Sequence, residues 1–245
     1  GTSMATPHAA GAVALLQQFH KLQNGTNLTP QEVKDVLNGT GKIIDDSGGS
    51  GYSFSRIDIY SAIISLDSVA PTINLITSNN TFTTNPNITF NYNTSENGIC
   101  SLYLNTSGTF GINTTNTSVI FGSSNFVVQL SDNTSWLWNI ECNDSAGNIA
   151  NATNNFTLTV DVTYPQINFS SLTQNNFTNI SQTYLDINVT WTETNFQNIT
   201  WNINGTERVN TTQTYWYNET SLSDGNYTYN VTICDKAGTC NSTET

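Results

Sequence analysis

Trp136-Leu137-Trp138-Asn139-Ile140-Glu141-Cys142-Asn143-Asp144-Ser145-Ala146-Gly147 decides how most of this chain is read. Trp136, Trp138, Ile140 and Cys142 recur at every second position, with Asn139 and Glu141 between them, the period of a half-buried antiparallel strand. The same alternation returns at Ile88, Phe90, Tyr92; Phe156, Leu158, Val160; Ile187, Val189, Trp191; Ile199, Trp201, Ile203; and Tyr227, Tyr229, Val231, Ile233. Short strands at regular spacing predict β-sandwiches.

Outward from that stretch an internal repeat emerges. Asn143-Asp144-Ser145-Ala146-Gly147 matches Cys234-Asp235-Lys236-Ala237-Gly238, and Ala70-Pro71-Thr72-Ile73-Asn74-Leu75 matches Tyr164-Pro165-Gln166-Ile167-Asn168-Phe169. The period of about 90 residues suits one immunoglobulin-like domain and is too long for a solenoid unit. These segments resemble the Ig-like modules appended to many secreted prokaryotic enzymes. Two modules are expected, 70–162 and 163–245. The second is expected to stop before a counterpart of Asn155–Val160, leaving an open edge and lower stability.

The chain has four cysteines. Cys142 ends an inward-facing run, and Cys100, on Ile99-Cys100-Ser101-Leu102-Tyr103, is its expected partner across the sandwich. Closing about 40 residues is worth about 4 kcal/mol at most in the chain-entropy model. Cys234 and Cys240 flank Ala237-Gly238, and a local disulfide is expected there. Zinc on the four thiolates would require a CxxC pair, which the sequence lacks. Two disulfides fit an oxidising compartment.

Before Asp67-Ser68-Val69-Ala70-Pro71 the pattern is helical. Thr29-Pro30-Gln31-Glu32 has the parts of a capping box, Val33, Val36 and Leu37 share a face, and Gly39 is expected to stop that helix. Asp45-Asp46-Ser47-Gly48-Gly49-Ser50-Gly51 reads as a loop whose acidic pair is solvated rather than metal-binding, since it lacks alternating oxygen ligands. Arg56-Ile57-Asp58-Ile59 opens a last short strand or helix.

The first residues, Gly1-Thr2-Ser3-Met4-Ala5-Thr6-Pro7-His8-Ala9-Ala10-Gly11, lead into small apolar side chains through Leu16, a pattern that predicts a helix buried on all sides from Ser3 to about His20. A serine here offers its hydroxyl at a helix start, where free N–H groups and the positive dipole end suit a developing oxyanion. At these residues the chain resembles the nucleophile motif of the subtilisin-like serine proteases. The order of segments to about residue 66 resembles the end of that family's catalytic domain, with Ser55 departing from the Gly often found before Arg56-Ile57-Asp58. The resemblance implies a C-terminal helical remnant (1–66) of an α/β subtilase catalytic domain, followed by two all-β Ig-like sandwiches. It implies acyl transfer on Ser3. In the family the histidine base, orienting aspartate and oxyanion asparagine lie upstream of the serine. The N-terminus is therefore read as cut, and the isolated chain is expected to be inactive. His8, on the same helix, is not that base; His8 and His20 read as locally paired, packed or capping residues. No cofactor is expected here; the resemblance leaves room for structural calcium in the upstream catalytic part.

Composition narrows the partners. Six Lys plus Arg against eighteen Asp plus Glu give a net charge of −12. That leaves no basic stripe for nucleic acid or anionic membrane. No apolar run is long enough to span a membrane. Asn-x-Ser/Thr sequons are dense, Asn188, Asn198, Asn204, Asn226 and Asn230 among them. Part of the excess follows from Asn and Thr on polar strand faces; the other reading is a glycosylated, secreted or cell-surface protein. Expected partners are protein or peptide substrates. A second function class, an adhesion or carbohydrate-binding array with an inactive protease-like head, rests on Trp216 and Tyr217, aromatics able to stack on sugar or to pack in the core.

Overall fold

A computed structural model describes residues 1–105, 108–132 and 134–244. Helices fill the beginning and strands the rest. Helix α1 (Thr2–Asn24) ends on Gly25, whose φ of 75° supplies the left-handed cap, with its N–H donating to Lys21 O. Helix α2 (Pro30–Thr40) starts at the expected capping box: Thr29 Oγ1 accepts from Glu32 N, and Glu32 Oε2 accepts from Thr29 N at 2.7 Å. It passes Gly39 and stops at Gly41. Strands β1 (Lys42–Asp46) and β2 (Tyr52–Arg56) form a hairpin, so Asp45 and Asp46 sit at a strand end rather than in the loop. Asp46 O accepts from Gly49, Ser50 and Gly51 N, which closes the turn. Helix α3 (Ile59–Leu66) is capped by Asp58, whose Oδ1 accepts from Ser61 N at 3.1 Å.

Leu16, Leu28, Val33 and Ala62 form the core of this segment. Helix α1 departs from its expected burial: only Ala12 and Leu16 are buried, while Met4, Leu15 and Leu22 are 68%, 51% and 78% exposed. An all-round apolar helix needs neighbours on every side, and among the described residues α2, α3 and Leu28 cover one.

The next unit is a two-layer sandwich. One layer has the order β3 (Ile73–Leu75), β5 (Asn87–Thr94), β8 (Gly122–Gln129). The other has the order β4 (Thr81–Thr83), β11 (Phe156–Val160), β9 (Thr134–Asp144), β6 (Gly98–Leu104), β7 (Gly111–Val119), with β10 (Ile149–Asn151) on the far end of β9. Among the described residues only β4 and β11 pair in parallel. Phe90 and Trp138, both fully buried, meet between the layers at 4.8 Å.

The repeat seen in the sequence is a repeat of topology. In the second sandwich β12 (Gln166–Phe169), β13 (Tyr184–Thr192) and β16 (Trp216–Thr220) reproduce β3-β5-β8. The other layer, β15 (Thr206–Asn210), β14 (Phe196–Ile203), β17 (Tyr229–Asp235) and β18 (Cys240–Ser242), reproduces β7-β6-β9-β10. Ile187, Ile199, Trp201, Val231 and Ile233 build its core. Among the described residues β17 pairs with β14 and β18 and has no counterpart of the β11 that pairs with β9.

Cys100 is bonded to Cys142, and Cys234 to Cys240. The first bond does not cross the sandwich as the alternation suggested. Cys100 and Cys142 are register partners on neighbouring strands of one layer, and Cys234 and Cys240 are partners likewise. Inward-facing residues directly opposite within one sheet are closer together than residues on opposed sheets, which stack about 10 Å apart.

Candidate functional site

Ser3 occupies the second position of α1, exposed, two residues past a Gly1 cap with no side chain to close the helix start. Gly1 O accepts from Met4 N at 3.0 Å and from Ala5 N at 3.3 Å, so the first turn is formed and Ser3's own N–H lies ahead of the intrahelical ladder. Thr6 Oγ1 donates to Thr2 O at 3.0 Å, which braces the turn just before Pro7. Pro7, the sixth residue of α1, lies inside the helix and lacks the N–H that would donate to Ser3 O.

His8 Nδ1 lies 2.7 Å from Met4 O, and His20 Nδ1 lies 2.8 Å from Thr26 O. A carbonyl oxygen only accepts, so each ring carries its proton on Nδ1 toward the backbone. His8 is thereby tied to its own helix, and His20 fastens the loop after α1. Beyond Ser3 along α1, Pro7, His8, Gly11 and Leu15 line one side of an open groove of about 550 Å³, and Ile57 and Ile59 line the other.

A second polar constellation lies at the junction before the first sandwich. Asp67, Glu96 and Asp144 bring carboxylate oxygens within 4.8 Å of one another. Asp67 comes from the end of α3, Glu96 from the turn between β5 and β6, and Asp144 from the end of β9. Asp144 is buried, with Oδ1 accepting from Ala146 N at 2.8 Å and Asn148 N at 2.9 Å. Burial and then the charges of Asp67 and Asp144 hold the Glu96 carboxyl above its ordinary range. Such a set has the hard oxygen donors that divalent cations prefer, although three carboxylates make only part of a calcium shell of six to eight oxygens.

The acidic positions recur in the second sandwich, although among the described residues only the first set closes to within 4.8 Å. Asp161, Glu193 and Asp235 occupy the matching places before β12, between β13 and β14, and at the end of β17. Asp161 and Asp235 are fully buried, and Glu193 is raised by burial and then by those two charges. The Asp235 turn copies that of Asp144: Gly147 N donates to Asp144 O and Gly238 N to Asp235 O, both glycines at positive φ. Sequence reasoning aligned the two turns but missed the carboxylates, whose spacings from one repeat to the next, 94, 97 and 91 residues, are the signal that finds them.

Of the aromatics singled out for sugar, Trp216 is 61% exposed. Tyr217 instead stacks on buried Trp201 at 5.8 Å. Tyr215, just before the strand, is half exposed and stacks on Trp191 at 5.0 Å. No helix among the described residues is long and apolar enough to cross a membrane.

Comparison with known proteins places the Subtilase family at residues 1–55. No curated protein matches the chain. Among solved structures it is similar to the fibronectin(III)-like modules of Clostridium thermocellum CbhA, with 11% identity and a TM-score of 0.38 over 70% of this chain and 92% of that one. It is also similar to a structure from a 1.5-MDa bacterial ice-binding adhesin, with 20% identity and a TM-score of 0.31 over 71% of this chain and 62% of that one. A third is latent PorU from Porphyromonas gingivalis, with 14% identity and a TM-score of 0.30; the match covers 74% of this chain and 20% of that one.

Proposed function

We propose that this chain, whose first 55 residues match the subtilase family, contributes the nucleophile segment of a secreted serine endopeptidase, Ser3 being the attacking residue, followed by two Ig-like modules (70–162 and 163–245). The observation that carries the reading is Ser3 itself: exposed, at a helix start, inside the segment that matches the family. Its hydroxyl would attack the scissile carbonyl and its N–H would help hold the oxyanion, with water later releasing the acyl-enzyme. In this reading the base and its orienting carboxylate come from other polypeptide: the Nδ1 of His8 and of His20 meets a backbone carbonyl where a catalytic histidine meets a carboxylate, and no hydrogen bond among the described residues joins either ring to Ser3. The substrate class is protein or peptide.

Joining this chain to its natural upstream sequence and treating the product with a fluorophosphonate tests the proposal. Stoichiometric labelling at Ser3, abolished by Ser3→Ala, is expected. An upstream sequence without Asp, His and Asn in subtilase contexts, together with no labelling, would refute it. That outcome would favour the second reading, a surface-binding array, for which half-exposed Tyr215 and exposed Trp216 offer stacking faces.

A further inference from the structure

The solvent faces of both sandwiches are built from Asn, Ser and Thr in an order that carries chemical information. The chain holds 24 Asn-x-Ser/Thr sequons, where 36 Asn and 63 Ser plus Thr among 245 residues would give about nine by chance. Pleating explains part of the excess. In Asn87-Ile88-Thr89, Asn188-Val189-Thr190, Asn198-Ile199-Thr200 and Asn230-Val231-Thr232 the central residue is buried, so the flanking pair shares the wet face. Pleating is blind to direction, however, and should yield Ser/Thr-x-Asn as often. The reversed order occurs 14 times. The surplus of forward triplets belongs to the order in which a hydroxyl follows the amide by two residues, the order that an oligosaccharyltransferase reads.

Burial agrees. None of the sequon asparagines among the described residues is buried. The buried asparagine, Asn139, is 6% exposed, donates through Nδ2 to Ala152 O and Asn155 Oδ1, and stands in Asn139-Ile140-Glu141, which is no sequon. Asn113 on edge strand β7, Asn168 on edge strand β12, Asn176 and Asn179 in the segment before β13, and Asn226 before β17 are all exposed. By contrast Asn241 donates its Nδ2 to Pro165 O at 2.9 Å, and Asn218 donates its own to Asp186.

We infer that these sandwiches are N-glycosylated, with Asn113, Asn168, Asn176, Asn179 and Asn226 as acceptors for a saccharide supplied on a polyprenyl phosphate or diphosphate by a separate transferase. The amide Nδ2 displaces the lipid phosphate from the sugar's anomeric carbon; the N–C bond forms, the C–O bond breaks, and the amide proton passes to the transferase. A sugar coat also offers hydration to a surface on which charged residues make up only 10% of the chain. The inference rests on the extracellular half of the reading above and not on its protease half. Sugar mapping and Ser3 labelling therefore fail independently.

The test is glycopeptide mapping, by electron-transfer mass spectrometry, of the protein isolated from its native producer. Saccharide mass is expected on the peptides holding these five asparagines. Thr178→Ala should strip it from Asn176, an exposed position where folding is unaffected, and Thr178→Ser should retain it. Unmodified asparagine at all five positions would overturn the inference, as would equal modification of Asn125, which is exposed but lies outside any sequon.

Discussion

Cys100 and Cys142 stand opposite each other on neighbouring strands of a single sheet, their Cα atoms 4.1 Å apart. The bond staples β6 to β9 and closes 42 residues, whereas Cys234–Cys240 closes six. The chain-entropy model makes the first worth about 4 kcal/mol and the second about 2 kcal/mol. Replacing both cysteines of a pair by serine, and following unfolding in denaturant, should therefore cost more for Cys100/Cys142. Equal losses would mean that loop closure is not how these bonds stabilise the fold.

Glu96 supplies a pH prediction. Its carboxyl is raised, first by burial and then by Asp67 and Asp144, so the folded chain binds that proton more tightly than the unfolded chain. Stability is then greatest below the unfolded value near 4.5 and declines as pH rises through the raised folded value. Glu96→Gln should raise the melting temperature at pH 7 and leave it nearly unchanged at pH 4. Glu193→Gln should behave the same way in the second sandwich, for the same cause. A drop at pH 7, measured without added divalent cations, would contradict this.

Gly98 opens β6 against the end of β9, and a Cβ there would fall far inside contact distance of Asn143 O, with Asp144 Cα beside it. Both obstacles are backbone. Gly98→Ala should cost about 1–3 kcal/mol, the range for forced overpacking. Gly111→Ala, where a Cβ meets nothing within 4 Å, should cost much less. Urea melts of the two variants decide between them.

The isolated 245-residue chain should resist fluorophosphonate labelling, since no described hydrogen bond joins His8 or His20 to Ser3 and neither ring has a carboxylate on its Nδ1. Labelling of Ser3 at the rate of a complete protease would show that a base has been overlooked.

The alternations ending at Cys142 and Ile233 were enough to find the strands and the repeat, because period two is a local property. Which sheet a strand joins is not local. Cys142 reads as inward-facing with Cys100 as its partner across the sandwich, yet the two share one layer, since nothing within either strand names its neighbour. Helix α1 shows the converse. Ala9 to Leu16 reads as buried because an apolar surface demands partners, but a sequence states the demand without the supply, and Leu15 remains half exposed. The two carboxylate sets were hidden by distance along the chain: Asp67, Glu96 and Asp144 lie 29 and 48 residues apart. They become visible only when the second repeat is laid over the first.

Asp161 N donates to Thr83 O at 2.9 Å in the first sandwich, while its Oδ2 accepts from Asn195 Nδ2 at 2.8 Å in the second. Asp67 does the corresponding work one block earlier, accepting from Gln23 Nε2 at 2.8 Å through its carboxylate and from Asn148 Nδ2 at 3.2 Å through its carbonyl. Each sandwich thus arrives with its own coupling residue at its front end. A segment copied from one such aspartate to the next would carry the acidic half of its joint with it and need only an accepting or donating group, such as Thr83 O or Gln23 Nε2, from the block before.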